Sequence, residues 1–265
     1  MNERHRPRGR FSQNFLHDRN IIDRITAAID PRPGDALVEI GPGEGALTRS
    51  LLAHSEGLTA IEVDTDLVAA LHGTPGLELH QADSREVDFS ELASGKGAKL
   101  RLVGNLPYNI TTPLVFHALG HCAVLRDMHF LLQREVVARL AAPPGSRDYG
   151  RLSVMVQYQC QVMPLFRVPP GAFRPAPKVT SQLVRLVPHA APPVRVDDEG
   201  VFREVVAHAF GQRRKTLRNA LKPVLSAHDF ETAGVSPGKR AEQLSLSDFA
   251  ALANARYARG AGGVN

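Results

Sequence analysis

Between Ala36 and Gln133 the apolar residues keep two alternating rhythms. Short, nearly unbroken apolar runs edged by Gly, Pro or Asn predict buried strands: "ALVEI" at 36–40, "GLTAIEV" at 57–63, then "GLELHQ", "KLRLVGN" and "DMHFLLQ". Between them, "GALTRSLLAH", "DLVAALHG" and "PLVFHALG" place apolar residues three and four apart, which predicts helices. Strand and helix in alternation predict a doubly wound, mostly parallel α/β sheet.

Beyond Gln133 the rhythm loosens. "REVVARLAA" reads as helix, "LSVMVQYQCQVMPLFRV" as a helix joined to a strand, and "SQLVRLVP" at 181–188 as a strand. "PHAAPPVRVDD" then reads as a linker. After it, "VFREVVAHAFGQRRKTLRNAL" has Phe202, Val205, Val206, Ala209 and Phe210 at helical spacing and predicts one amphipathic helix. Ser245 and Asp248, three residues apart in "LSLSDFAALANARYA", mark a further helix start. The expected organisation is an α/β domain over 1–192 and a small helical domain over 193–265.

Composition narrows this picture. A chain of 265 residues can hold one large core and a smaller unit. No apolar run approaches the ~20 residues that span a bilayer. "MNERHRPRGR" has no apolar stretch behind its charges, so no secretory signal is read there, and a cytoplasmic location is expected. Cys122 and Cys160 lie far apart and are expected to be free thiols. The net charge of +5 is unevenly placed. Arg4, Arg6, Arg8 and Arg10 crowd the first ten residues, and Arg213, Arg214, Lys215 and Arg218 form a second cluster. Two such clusters suit a polyanionic partner, with a solvated helix face as the plain alternative.

The candidate chemistry sits at the ends of the predicted strands. In "EIGPGEGALT", Gly41, Gly43 and Gly45 follow one strand and open a helix, a turn that lets a ligand approach the backbone. Glu62 ends the next strand and can accept both hydroxyls of a ribose. Asp83 ends the third and can accept the exocyclic amine of an adenine, or simply cap a turn. The turn and Glu62 fit a nicotinamide dinucleotide or S-adenosylmethionine, and Asp83 favours the latter. "NLPY", residues 105–108, ends the fourth strand and therefore lies at the ligand crevice.

Methylation of an adenine amine gives each of these four residues a task. The N6 lone pair is delocalised into the ring. Acceptors aimed at its hydrogens pull the nitrogen toward tetrahedral geometry and stabilise the charge that develops. Asn105 offers a side-chain carbonyl, Leu106 a backbone carbonyl, Pro107 a fixed bend, and Tyr108 a face for the base. Asn109 is read as holding the loop's shape. His117 and His121 stand four apart, a metal-ligand spacing, but with no third ligand in view they read as core or surface, and no metal is expected.

"NLPYN", with "FSQNFL" at 11–16, "EIGPGEGALT", "GRLSVMVQY" at 150–158, "GAFRPAPKV" at 171–179 and "AFGQRRKTLRNAL" at 209–221, resembles the rRNA adenine N6,N6-dimethyltransferases in their bacterial small-subunit form. The resemblance runs from about Arg10 to about Asn254. It implies a Rossmann-like class I methyltransferase domain with a seven-stranded sheet, and S-adenosylmethionine as methyl donor. The implied target is two adjacent adenosines in a hairpin near the 3′ end of 16S rRNA, within an assembling 30S subunit, and the implied state is a monomer. It further implies that Asn14 and Leu16 close over the cofactor, that Gly41 and Gly43 line it, and that Glu62, Asp83 and Asn105 bind it. Phe173 would stack on the target base opposite Tyr108. Arg8, Arg10, Arg213, Arg214, Lys215 and Arg218 would contact RNA. Three alternatives stay open: a large-subunit rRNA adenine methyltransferase, a non-catalytic ribosome assembly factor on the same fold, and a nicotinamide dehydrogenase, which lacks a placed acid or base.

Overall fold

The computed structural model describes residues 14–212 and 214–261. Two compact units divide the chain. One is built from 1–137 and 161–188, the other from 138–160 and 189–265.

The first unit begins with a two-residue strand, β1 (Phe15–Leu16), and a helix, α1 (Arg19–Ile29). The Asp18 carboxylate accepts from the Ile21 amide and caps that helix. Strands and helices then alternate: β2 (Ala36–Ile40), α2 (Ala46–Leu52), β3 (Leu58–Glu62), α3 (Thr65–Leu71), β4 (Leu77–Gln81), α4 (Phe89–Ser94), β5 (Leu100–Asn105), α5 (Thr111–Leu119) and β6 (Leu125–Gln133). Next come α6 (Arg134–Leu140), α7 (Arg151–Gln159), β7 (Cys160–Val168), a second two-residue strand β8 (Phe173–Arg174) and β9 (Ser181–Pro188).

Seven strands form one sheet in the order β4-β3-β2-β5-β6-β9-β7. The pairs from β4 across to β6 are parallel, and β9 is antiparallel to β6. β2, β3, β5 and β6 are almost wholly buried, which is why they read as continuous apolar runs rather than alternating ones. α1 lays Ile21, Ile22, Ile25 and Ile29 into a core shared with Leu37, Leu51, Leu58, Val103 and Leu183. The chain leaves β2 toward β3 on one side, and β5 pairs on the other. That reversal of strand order opens a crevice at the carboxyl ends. The expected α/β class and seven-stranded sheet are both present.

The second unit contains α7 and four further helices: α8 (Glu199–Gly211), α9 (Leu217–Ala220), α10 (Ala227–Ala233) and α11 (Leu246–Ala261). It differs from the expected division at 192/193 by the segment 138–160. That segment packs with the C-terminal helices: the rings of Tyr158 and Phe202 lie 4.7 Å apart, and the His189 amide donates to the Gln159 carbonyl. Ser245 and Asp248 exchange hydrogen bonds at the start of α11, the cap that their spacing predicts. The single helix expected over 201–221 is interrupted. α8 stops at Gly211, Gln212 leaves helical geometry, and α9 starts after an extended Thr216. Glycine's low helix propensity at that point favours the break.

Among the described residues no helix is long and apolar enough to cross a membrane. Nor does any group of three His, Cys, Asp or Glu side chains stand where it could hold a metal. His117 and His121 pack on Phe89 and bond to the Val87 carbonyl and the Ser90 hydroxyl.

Candidate active site

A cleft of about 310 Å³ opens at the carboxyl ends of β2, β3, β4 and β5. Its size is that of a small-molecule site. Asn14, Leu16, Gly41, Gly43, Glu62 and Asp83 line it, and so does the whole stretch from Asn105 to Ile110.

The glycine turn forms the floor. Gly41 and Gly43 have φ of 68° and 57°, a left-handed conformation that side chains resist. The Gly41 amide donates to the Ile61 carbonyl, tying the turn to β3. A Cβ at Gly41 would meet nothing within 4 Å, so its backbone is open to a ligand. A Cβ at Gly43 would lie 2.9 Å from the Phe15 ring. Phe15 thus covers the turn from the N-terminal side.

Two buried carboxylates stand in the wall. Glu62, 6% exposed, accepts amides from Gly43 at 3.3 Å, Val63 at 2.9 Å and Asp64 at 3.0 Å. Burial pushes its carboxyl up, against the pull of those amides. Glu39, 2% exposed, has one carboxylate oxygen with no hydrogen-bond partner. Burial, reinforced by the charge on Glu62, pushes it up to about 7. Sequence reasoning missed Glu39, although it stands in the quoted "EIGPG"; an acid at a strand's carboxyl end was the available signal. Asp83 also faces the cleft, with the Arg85 guanidinium holding its carboxyl below the usual range.

The opposite wall comes from β5. A Cβ on Gly104 would stand 2.6 Å from the Ile40 carbonyl oxygen, so only glycine lets β5 approach the glycine turn this closely. The Asn105 side-chain amide donates to the Asn14 carbonyl at 2.8 Å. This bond fixes which end of the amide is which, and leaves Oδ1 as the acceptor. The Leu106 side chain is buried, and its amide donates to the Leu131 carbonyl. The Pro107 carbonyl receives the Ile110 amide and the Thr111 hydroxyl, which closes the turn into α5. The half-buried Tyr108 bonds through its hydroxyl to Ser181 at 3.1 Å. Asn109 is exposed and makes no hydrogen bond among the described residues, so the Pro107 carbonyl, and not Asn109, shapes the loop.

Phe173 is not on the cleft wall. It is 3% exposed, pairs through its backbone with Leu16 in the β1–β8 ribbon, and belongs to the core around α1. In this conformation it offers no face to a base, because the ribbon turns its ring inward. Arg214, Lys215 and Arg218 are exposed in the helical unit and form no ion pair among the described residues. Arg8, Arg10 and Arg213 lie outside the described residues.

The profile of the ribosomal RNA adenine dimethylase family matches residues 4–256. The chain belongs to that family. Among its relatives in the family, the ribosomal RNA small subunit methyltransferase A of Pseudomonas aeruginosa is 57% identical over 254 residues, covering 94% of each chain. That of Xanthomonas campestris is 56% identical over 252 residues, covering 94% of this chain and 95% of its own. In three dimensions a Plasmodium falciparum dimethyladenosine transferase matches 90% of this chain and 95% of its own at a TM-score of 0.74, with 23% identity. The 23S rRNA methyltransferase ErmE matches 91% of this chain and 99% of its own at 0.68, with 26% identity. This member of the dimethylase family is therefore an adenine methyltransferase that uses S-adenosylmethionine.

The cleft fits that donor. The open backbone at Gly41, the orphaned oxygen of Glu39 and the buried Glu62 suit a ligand that carries a sulfonium, an ammonium and a ribose.

Proposed function

We propose that this chain dimethylates N6 of two adjacent adenosines in a hairpin near the 3′ end of small-subunit rRNA, in an assembling subunit. Relatives more than half identical to it are named for the small subunit. The identity to the large-subunit enzyme ErmE is 26%.

One observation carries the catalytic reading: Asn105 turns its amide nitrogen to the Asn14 carbonyl, donating one hydrogen to it, and keeps its own carbonyl for the cleft. When bound, S-adenosylmethionine supplies an electrophilic methyl group. Asn14, Leu16, Gly41 and Gly43 enclose it, Glu62 holds the ribose and Asp83 the adenine amine. Asn105 Oδ1 and the Leu106 carbonyl accept the two N6 hydrogens of the target. They stabilise the positive charge that builds on nitrogen as it attacks. Tyr108, steadied by Ser181, is the stacking platform. The alkylated nitrogen is acidic enough to lose its proton to water, so no side-chain base is required. Arg214, Lys215 and Arg218 contribute phosphate contacts.

The test is transfer of labelled methyl from S-adenosylmethionine to small-subunit particles lacking the modification. Four methyl groups per particle, mapped to two neighbouring adenosines, support the proposal. No transfer to these particles, with label entering unmodified large-subunit rRNA offered in parallel, overturns it.

A further inference from the structure

Both oxygens of Asp83 accept hydrogen bonds from Arg85. Its Oδ1 accepts the Arg85 backbone amide at 3.0 Å and Arg85 Nε at 3.0 Å. Its Oδ2 accepts Arg85 Nη2 at 2.5 Å and Nε at 3.2 Å. A carboxylate has about four acceptor positions. Three Arg85 N–H groups take up most of these, with Nε–H shared between both oxygens, and Arg85 lines the same cleft.

An adenine amine is a neutral donor. On this carboxylate it meets the guanidinium, which already spans both oxygens, and it gains the positions along that edge when a side-chain bond from Arg85 is released. The backbone bond can stay, because the loop fixes it. The guanidinium can leave, because 46% of the Arg85 side chain is already in solvent, and water replaces the bonds it loses.

We propose that Arg85 is a latch on the adenine end of the cleft. It occupies the acceptor oxygens of Asp83 and gives them up to the exocyclic amine of the entering cofactor. This rests on the reading of Asp83 as the adenine acceptor. The latch keeps the acid paired between turnovers and makes cofactor entry compete with an internal cation. The competition is mild, since exposed ion pairs contribute little net.

Equilibrium binding of S-adenosylhomocysteine to the full chain tests this without catalysis. Arg85→Ala is expected to tighten binding about two- to fivefold at low salt, a margin that shrinks as salt weakens the pair. In an Asp83→Asn background the same substitution is expected to change nothing, because the latch acts through that carboxylate. Unchanged or weaker binding by Arg85→Ala, while Asp83→Asn alone weakens it, overturns the latch and spares the Asp83 reading. If Asp83→Asn leaves affinity intact, that reading falls and takes the latch with it. Arg85 is exposed, and matching thermal melts establish that the variant folds.

Discussion

One sheet carries buried charge at both ends and treats it in opposite ways. At the amino end, Arg101 (4% exposed side chain) binds Asp127 at 2.9 Å and Asp35 at 2.6 Å, and donates to the Ile29 and Asp30 carbonyls at the end of α1. Arg126 and Arg185 complete the set around the two acids. Burial pushes Asp127 up, but the bonds and charges of its cationic neighbours outweigh burial and leave it below the usual range. At the carboxyl end, Glu39 and Glu62 are as deeply buried, yet no ion pair reaches either among the described residues, and both are pushed up. A closed network suits stability. An open one is poised for a positively charged ligand.

The sharpest way to break this comparison is at Arg101. Replacing it with methionine removes the buried cation that Asp127 and Asp35 share, leaving them only Arg185 and Arg126, and is expected to cost about 3–5 kcal/mol in urea unfolding, with S-adenosylhomocysteine affinity of the folded fraction unchanged. A small cost would mean that the amino end is not where the sheet is held. Asn105→Ala should do the reverse. Single-turnover methyl transfer is expected to fall roughly 10²–10³-fold with a near-normal melting temperature.

Glu39 tests whether the open end is a liability. Its folded pKa of about 7 stands above the ordinary 4.5, so its contribution is fully present below pH 4.5 and is lost as pH rises through 7. The gap bounds the loss at roughly 3 kcal/mol. Glu39→Gln is therefore expected to match the parent protein at acid pH and to exceed it in stability at pH 8. Equal stabilities at pH 8 would show that the carboxylate is relieved in the folded protein. The smallest effect belongs to the exposed cations. Arg214→Ala and Lys215→Ala should each lower the salt slope of RNA binding by about one, without moving the melting temperature.

How much of this was legible beforehand depended on distance along the chain. The glycine turn, Glu62, Asp83 and Asn105 to Tyr108 could be read because each follows a strand whose apolar run announces it, and the sheet then brings the strand ends together. Phe173 could not be placed, because its orientation depends on pairing with Leu16, far away in sequence. The Arg101 network joins residues from before β2, from β5 and from β6, and an isolated Arg or Asp in a strand gives no hint of its partner. The break at Gln212 was hidden by apolar spacing that continues across it.

The β1–β8 ribbon has a consequence for the order of assembly. Phe15 and Leu16 find their strand partners roughly 160 residues later, and Ser181, which steadies Tyr108, comes later still. During synthesis, then, the floor of the cleft and its acids are made long before the N-terminal segment has anything to pair with. The N-terminal wall of the cleft is finished last, and a nascent chain released early would own every residue of the glycine turn and of Asn-Leu-Pro-Tyr while still lacking the strand that holds that wall in place.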